Sequence, residues 1–360
     1  MIVRFPRPID WSLYLSAIAL QVFGIAVIAS LGSTSRAELA VNQAVFTIIG
    51  ILLMIILTFL DYRTFKAIAH YLYVLGVIGL IIVLAIGSKV FGATRWIDLG
   101  LFQFQPSELF KPILVMALAK LLTEWPRDVK TALFAALVTI VPILLVIRQP
   151  DLGTASILLV GAVAMLALKG LPRRIWLIGG VALVLVIPLL FSSLKPYQRE
   201  RLRSFTNPSA DPLGSGYNVQ QSLIAVGSGG LLGRGLGQGS QSQLQFLPVA
   251  HTDFIFAGVG EATGFIGSGL VLLLLAVLIT RAFNVARVAQ DEFGYYFAFG
   301  MAFIVLVQSA INIGVNLGLL PATGIPLPFV SYGGTQTITA LGAIGILQSI
   351  YARHKKIRFA

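Results

Sequence analysis

Ten long apolar segments with few or no charged residues constrain this chain more than any other feature of its sequence. They lie near 11–33, 41–60, 67–87, 106–123, 131–147, 152–168, 174–194, 254–280, 294–318 and 331–352. A helix needs roughly 17 to 25 apolar residues to cross a bilayer, whereas a transmembrane β-barrel is built from shorter segments of alternating polarity. The sequence therefore predicts an all-α integral membrane protein of ten transmembrane helices, forming a single domain over residues 1–360.

The composition supports the membrane assignment. Hydrophobic residues make up 57% of the chain and charged residues 11%, whereas charged residues are about 25% of a soluble domain. The first apolar segment is too long for a cleavable signal and lacks a small-residue cleavage pattern, so a signal anchor is expected. The chain has no cysteine, which excludes disulfides, thiol catalysis and thiolate metal sites.

The positions of lysine and arginine predict the orientation in the membrane. With the N-terminus in the cytoplasm, 16 of the 26 basic residues fall on the cytoplasmic side, in agreement with the positive-inside rule. Both termini are then cytoplasmic, and a long extracytoplasmic loop of about 192–252 joins the seventh and eighth segments. The net charge of +12 reflects this topology and attraction to anionic membrane lipids, so nucleic acid is not expected as a partner.

The candidate site residues lie on the predicted outer side, where 8 of the 14 acidic residues fall. Segment 247–267, LPVAHTDFIFAGVGEATGFIG, places His251, Asp253 and Glu261 where a polar loop enters an apolar segment. Ionisable groups at such positions are costly and usually functional. The alternatives are that Asp253 only caps the eighth helix and that Glu261 is a buried carboxyl held by hydrogen bonds.

Two further outer segments carry charged residues. In QPSELFK, Glu108 and Lys111 are three residues apart, so they can pair on one helix face, either along a functional pathway or only to fix helix packing. In RQPDLGTA, Asp151 follows the helix-breaking Pro150 and can cap the sixth helix. Arg148 is harder to dismiss, because it is a cation on the sparsely charged outer side.

Glycine and proline mark two outer loops. The glycines of 227–239 are compatible with backbone N–H groups that bind an anion such as pyrophosphate, although no strand precedes them as in a P-loop. Segment 318–336 holds three prolines and four glycines between two apolar segments. Irregular backbone is tolerated at membrane depth where it lines a cavity, so an ordered re-entrant loop is predicted there.

Six ordered motifs, spread over nearly the whole chain, carry a family resemblance. GATRWIDLG, QPSELFK, RQPDLGTA, GSGGLLGRGLGQGSQSQLQFLP, HTDFIFA and IPLPFVSYGG closely resemble the SEDS family of bacterial shape, elongation, division and sporulation proteins. The SQSQLQFLP string and the short N-terminus resemble its elongation members more than its division members.

The resemblance implies a peptidoglycan glycosyltransferase. Such an enzyme polymerises lipid II on the outer face of the bacterial cytoplasmic membrane. The implied partners are a class B penicillin-binding protein, as the transpeptidase, and other proteins of the elongation complex. A lipid II flippase, a division-specific polymerase and a non-catalytic scaffold remain alternatives. The position of nearly all non-topological charge at the outer end favours an enzyme over a transporter, which needs a site accessible from both sides.

The motifs also imply roles for individual residues. Asp253 would be the catalytic carboxylate, supported by Glu108, Lys111 and Asp151 and flanked by His251. For the leaving pyrophosphate we expect cations from the long outer loop, namely Arg203 with Arg199 or Arg201. A divalent cation, Mg²⁺ or Mn²⁺, is a further candidate for that role.

The chain departs from the family pattern on both sides of Asp253. Val249 and Ala250 occupy a place where an acidic residue usually occurs, and Ala262 replaces the second acid of a usual Glu-Glu pair. These acids are therefore dispensable here. Glu261, without its acidic neighbour, is expected to be a supporting or structural residue.

Overall fold

The structure is a computed structural model that describes residues 8–31, 34–90, 93–100, 102–180, 199, 201, 205, 215–244, 246–247 and 249–354. Its helices are α1 (Trp11–Ser30), α2 (Thr34–Phe59), α3 (Tyr62–Ile86), α4 (Pro106–Glu124), α5 (Val129–Arg148), α6 (Leu152–Leu168), α7 (Ser215–Ser228), α8 (Ser240–Gln243), α9 (Ile255–Val288), α10 (Glu292–Asn316) and α11 (Gly334–Ala352). Its strands are β1 (Ser88–Val90), β2 (Ala93–Asp98) and β3 (Gln103–Phe104).

The helices follow the apolar segments of the sequence. Nine of the ten segments coincide with helices, while the seventh is described only as far as residue 180, with 173–180 helical. Six helices, α1, α2, α3, α5, α9 and α10, are long and apolar enough to cross a membrane. Large apolar side chains face outward on α3 and α5, as Leu75 and Leu133 do, which is typical of a lipid-facing surface. The chain is thus a predominantly helical membrane protein.

Two helices form the centre of the bundle. Most side chains of α4 and α11 are buried. Helix α4 packs against α3 and α10, and α11 packs along α2. Because these two helices touch little lipid, they can carry polar residues such as Glu108 and Gln336 that a lipid-facing helix would not tolerate.

Ion pairs gather at one end of the bundle. Arg281 binds Asp10 at 2.5 Å, Arg353 lies 3.4 Å from Asp61, Arg63 lies 3.6 Å from Asp291, and Lys66 lies 3.8 Å from Glu124. The four basic residues are among the 16 that the sequence places in the cytoplasm, and none of the four acids is among the eight placed on the outer side. The three aspartates also accept backbone N–H groups at the first turns of α1, α3 and α10, so each fixes a helix start as well as a pair.

The all-α prediction is incomplete, because a small sheet lies between α3 and α4. Strand β2 pairs antiparallel with β1 and with β3, giving the order β1-β2-β3. The chain leaves α3 at Gly87, where the backbone becomes extended. Its polar backbone groups must then find partners outside a helix, and the sheet supplies them while bringing Arg95 on β2 towards the start of α6.

Helix α9 is broken, contrary to the prediction of one continuous eighth span. Gly264 has a φ of +65° and a ψ of −159°, which is not helical. The N–H groups just after the break donate to the loop that follows α7: Phe265 to the carbonyl of Gly230 at 2.9 Å, and Ile266 to that of Leu231 at 3.2 Å. A positive φ is easy for glycine alone, so Gly264 determines where the helix divides.

Candidate active site

The turn before α9 holds Asp253 without using it as a helix cap. The residue at the N-cap position is Phe254, and no side chain of the turn accepts a hydrogen bond from the helix. The N–H of Ala257 donates instead to Oδ1 of Asn316 on α10, at 2.9 Å. The capping explanation for Asp253 is therefore wrong, and its carboxylate is left for another role.

Asp253 faces Arg201 across Gly324. A Cβ built on Gly324 would lie 3.6 Å from Oδ2 of Asp253 and 3.6 Å from Nη1 of Arg201, so the two side chains converge over this glycine. Gly324 has a φ of +72°, a conformation that favours glycine. The lack of a side chain at this position leaves space between the carboxylate and the guanidinium.

The surroundings of Asp253 make its carboxyl a weaker acid than usual. Burial raises its pKa to about 6, the nearby positive charges of Arg201 and Arg95 oppose that rise, and the negative charge of Asp151 adds to it. A carboxylate with a pKa near neutrality can take up a proton from a reacting hydroxyl and release it again, as a general base must.

Arg95 holds Asp151 in place at the edge of this group. Its Nη1 lies 3.7 Å from Oδ1 of Asp151, its Nε donates to the carbonyl of Gln149 at 3.3 Å, and its Nη2 donates to the carbonyl of Pro150. Asp151 also caps α6, accepting from the N–H of Thr154 at 3.1 Å. The predicted cap is thus confirmed, and the ion pair with Arg95 is an addition that sequence reasoning missed.

The re-entrant loop predicted at 318–336 clamps the Asp253 turn. Ser331 donates through Oγ to the carbonyl of Thr252 at 2.7 Å, and the N–H of Tyr332 donates to the carbonyl of His251 at 2.8 Å. The rings of His251 and Tyr332 meet edge to face with centroids 5.7 Å apart. The loop is ordered and walls the candidate site, as its prolines and glycines indicated.

Glu108 and Lys111 form the buried pair that their spacing predicted. Lys111 Nζ lies 2.7 Å from Oε1 of Glu108 and donates to Oε1 of Gln308 on α10 at 3.0 Å. The pair borders a cavity whose other walls are mainly apolar, among them Met301 and Ile344. It lies beneath the Asp253 turn and is linked to it through α10.

Glu261 is a structural anchor in this structure. It is fully buried, and its carboxylate accepts from the N–H of Gln241 at 2.8 Å and from the N–H and Oγ of Ser242 at 3.0 and 2.5 Å. A Cβ on Gly239 would come within 2.3 Å of that carboxyl group. Glu261 therefore holds α8 against α9, in line with the supporting role expected from the sequence.

Part of the glycine-rich stretch binds the protein's own backbone, so the expected role as an anion cradle does not apply to the N–H groups that are bonded in this way. The N–H of Arg234 donates to the carbonyl of Glu261 at 2.9 Å, and that of Gly235 donates to Ala262 at 3.1 Å. Side chains at Gly229 and Gly233 would lie 1.9 and 2.3 Å from carbonyl oxygens of α9. These glycines allow the loop to lie directly on the broken helix.

The predicted cations lie in different parts of the structure, and only one of them is seen beside Asp253. Of the three arginines expected near pyrophosphate, Arg201 lies beside Asp253, Arg199 is helical and partly buried, and Arg203 lies outside the described residues. Arg148 ends α5 with an exposed side chain, and the cation beside Asp151 is Arg95. Arg95 lies within the GATRWIDLG motif, which is the one signal by which the sequence could have identified it.

No group of three or more histidine or acidic side chains that could hold a metal ion occurs among the described residues. The divalent cation expected for the pyrophosphate stays a prediction.

Comparison with known proteins agrees with the motifs. The model of the FtsW/RodA/SpoVE family, described as cell cycle protein, matches residues 10–356. The peptidoglycan glycosyltransferase MrdB of Escherichia coli is 39% identical over 97% of this chain and 95% of its own length. Stage V sporulation protein E of Bacillus subtilis is 38% identical over 88% of each chain. The chain belongs to this family.

Solved structures share the fold. A chain from a study entitled "Structural coordination of polymerization and crosslinking by a peptidoglycan synthase complex" superposes with a TM-score of 0.84 and 34% identity, covering 96% of this chain and 98% of that one. The rod shape determining protein RodA of Thermus thermophilus gives a TM-score of 0.73 with 29% identity, covering 97% of this chain and 98% of its own.

Proposed function

We propose that this protein is a peptidoglycan glycosyltransferase, which polymerises lipid II into glycan strands on the outer face of the bacterial cytoplasmic membrane during elongation and shape maintenance. The observation that carries the proposal is the convergence of the Asp253 carboxylate and the Arg201 guanidinium over Gly324. Family membership and the likeness to MrdB, a peptidoglycan glycosyltransferase by name, give the reaction class.

The reaction needs a base and a cation, and the site offers both. A sugar 4-hydroxyl attacks the anomeric carbon of lipid II, the bond from that carbon to the pyrophosphate oxygen breaks, and the hydroxyl proton must leave. Asp253 accepts that proton, a role that contributes typically 10² to 10⁴-fold. Arg201, with Arg203 from the same loop, balances the charge on the departing lipid pyrophosphate, and a divalent cation can share this task.

The proposed topology has ten crossings, with both termini in the cytoplasm and 192–252 outside. The four ion pairs at one end of the bundle support it, because they join only residues predicted to be cytoplasmic. The proposed partners are a class B penicillin-binding protein and other proteins of the elongation complex. The similar chain from a peptidoglycan synthase complex supports a transpeptidase partner.

Two alternatives have a specific observation in their favour. Transporters typically use discontinuous helices at their binding sites, and the break at Gly264 makes α9 discontinuous, which is the observation in favour of a lipid II flippase. The FtsW protein of Geobacter metallireducens is 38% identical over 96% of this chain, so overall identity does not separate elongation from division.

One experiment separates an enzyme from a flippase. The purified full-length chain, with its transpeptidase partner, is given labelled lipid II in detergent, where flipping has no meaning. We expect glycan polymer of many disaccharide units. Absence of polymer, with the partner present and the substrate intact, would overturn the proposed enzymatic function.

The pH dependence of polymerisation should report the Asp253 carboxyl. Its pKa is raised to about 6, and a general base acts only when it is deprotonated. We therefore expect the turnover rate to rise with pH and to reach half of its plateau near pH 6. The measurement is kcat from pH 5 to pH 8; a rate that is flat across this range would contradict a base with that pKa.

Replacing Arg201 with alanine should weaken the hold on pyrophosphate. Removal of a charge-assisted hydrogen bond from a partly buried site lowers affinity by about tenfold or more. The measurement is binding of lipid II, compared with binding of the same lipid lacking its pyrophosphate. We expect Arg201→Ala to weaken the binding of lipid II and to leave the binding of the lipid without pyrophosphate unchanged. Equal affinity of variant and wild type for lipid II would show that Arg201 only anchors the loop to lipid headgroups. Arg234→Ala is the control, because Arg234 belongs to the same loop and its side chain is exposed.

A further inference from the structure

Three amide side chains recur at every fourth residue on one face of α10. Gln308, Asn312 and Asn316 are 3%, 1% and 0% exposed, and residues four apart in a helix lie on the same side. Buried amides in an apolar helix are costly unless their hydrogen bonds are satisfied. We call these three residues the amide ladder.

Gln308 connects the Glu108–Lys111 pair to the re-entrant loop. Lys111 can only donate, so the oxygen of Gln308 must face it, and the bond measures 3.0 Å. The amide nitrogen of Gln308 is thereby turned towards the carbonyl of Pro326, to which it donates at 3.0 Å. The charge of Lys111 thus dictates the orientation of the first amide.

Asn312 and Asn316, the other two amides, hold the backbone of Asp253. Asn312 Nδ2 donates at 2.8 Å to the carbonyl of Asp253 and at 2.8 Å to that of Ile325. Asn316 Nδ2 donates to the same Asp253 carbonyl at 3.0 Å, and its Oδ1 accepts from Ala257 at the start of α9. One carbonyl therefore receives two amide donors, and the residue that follows Gly324 shares one of them.

We propose that the amide ladder is a positioning device, which fixes the main chain of Asp253 against the Gly324 loop. Through the ladder, the fixed position of the Glu108–Lys111 pair also constrains the catalytic turn. This inference rests on the proposed function. The hydrogen bonds of the ladder to Asp253 go to its main-chain carbonyl, so the carboxylate stays available for substrate. Glu108 and Lys111 then act through Gln308 and Pro326, without touching the sugar.

The test compares variants that break different bonds of the ladder. Gln308→Glu keeps an acceptor for Lys111 but loses the donor to Pro326, whereas Gln308→Met loses both. Asn312→Leu removes the donor to Asp253 and Ile325 at similar volume. Ser309→Ala is the matched control, because Ser309 is buried on the same helix and its hydroxyl has no hydrogen-bond partner among the described residues. Each full-length variant is assayed with its transpeptidase partner for kcat and KM on lipid II.

We expect kcat to fall by roughly 10²-fold for Asn312→Leu and for both Gln308 variants, with KM nearly unchanged, because a displacement of about 1 Å at a catalytic group has an effect of that order. Ser309→Ala should match the wild type. Thermal unfolding in detergent identifies any variant that no longer folds, and kcat is then judged on the more conservative Gln308→Glu.

Each outcome has one meaning. Wild-type kcat in Gln308→Glu, with loss only in Gln308→Met, would show that Gln308 merely solvates Lys111 and would overturn the proposal. A rise in KM without a change in kcat would also overturn it, since it indicates a substrate-binding role. No polymer from the wild type would instead refute the proposed function itself, so the two failures are distinguishable.

Discussion

Asp253→Asn is expected to abolish glycan polymerisation, lowering kcat by at least about 10²-fold and up to about 10⁴-fold. The substitution removes the charge and basicity of the side chain while nearly keeping its shape. It also leaves the turn intact, because Asn312 and Asn316 bind the main-chain carbonyl of residue 253. The effect therefore reports the lost base and not a misfolded site.

The measurement is polymer formed from labelled lipid II by the purified protein with its transpeptidase partner. Asp98→Asn is the matched control. Asp98 is an exposed acid of the same outer end, and its Oδ1 accepts the N–H of Gly100 at 2.8 Å, a bond that asparagine can also make. Polymer yield from Asp253→Asn equal to that from Asp98→Asn would exclude Asp253 as the base.

The helices were predictable because bilayer length imposes a simple rule on the sequence. A segment of suitable length without charges has little choice but to be a helix, and nine of the ten predicted segments are helices in the described part of the chain. The Glu108–Lys111 pair followed from helical spacing for the same reason. Both inferences use only local periodicity.

The structural features that depend on contacts between distant parts of the sequence were not predictable. The break at Gly264 is stabilised by hydrogen bonds to the loop at Gly230 and Leu231, over thirty residues away, and a glycine in an apolar segment gives no sign of such a partner. The glycines of 227–239 were predicted to suit an anion because free backbone N–H groups in a loop can bind one. In the fold, the N–H groups of Arg234 and Gly235 donate to carbonyl groups of α9.

The candidate site was only partly predictable. Asp253 was identified because a carboxylate at the mouth of an apolar segment is costly, and the capping alternative could be rejected only once Phe254 and Asn316 were seen at the start of α9. Arg95 was missed because it is distant from Asp151 in the sequence and only the sheet brings the two together. The amide ladder had a readable signal, three amides at four-residue intervals within an apolar segment.

Gly264→Ala is expected to destabilise the protein by about 2–6 kcal/mol. A residue with a side chain at φ +65° and ψ −159° is strained by about 1–3 kcal/mol, and overpacking adds roughly 1–3 kcal/mol. The added Cβ would lie 2.3 Å from the backbone nitrogen of Gly233 and 2.7 Å from the carbonyl group of Leu231. Neither backbone can move aside without breaking the bonds that the loop makes to Phe265 and Ile266.

The loss of these bonds should also reduce activity, because Glu261 lies in the first part of α9 and the turn that presents Asp253 directly precedes this helix. The measurement is thermal unfolding in detergent together with polymerisation of lipid II. Gly269→Ala, five residues further along α9, is the control: a Cβ there meets nothing within 4 Å, and alanine is favoured over glycine in a helix by about 0.5–1 kcal/mol. If Gly264→Ala melted at the same temperature as Gly269→Ala, α9 would not require a break at this residue, and the loop at 229–235 would owe its position to some other contact.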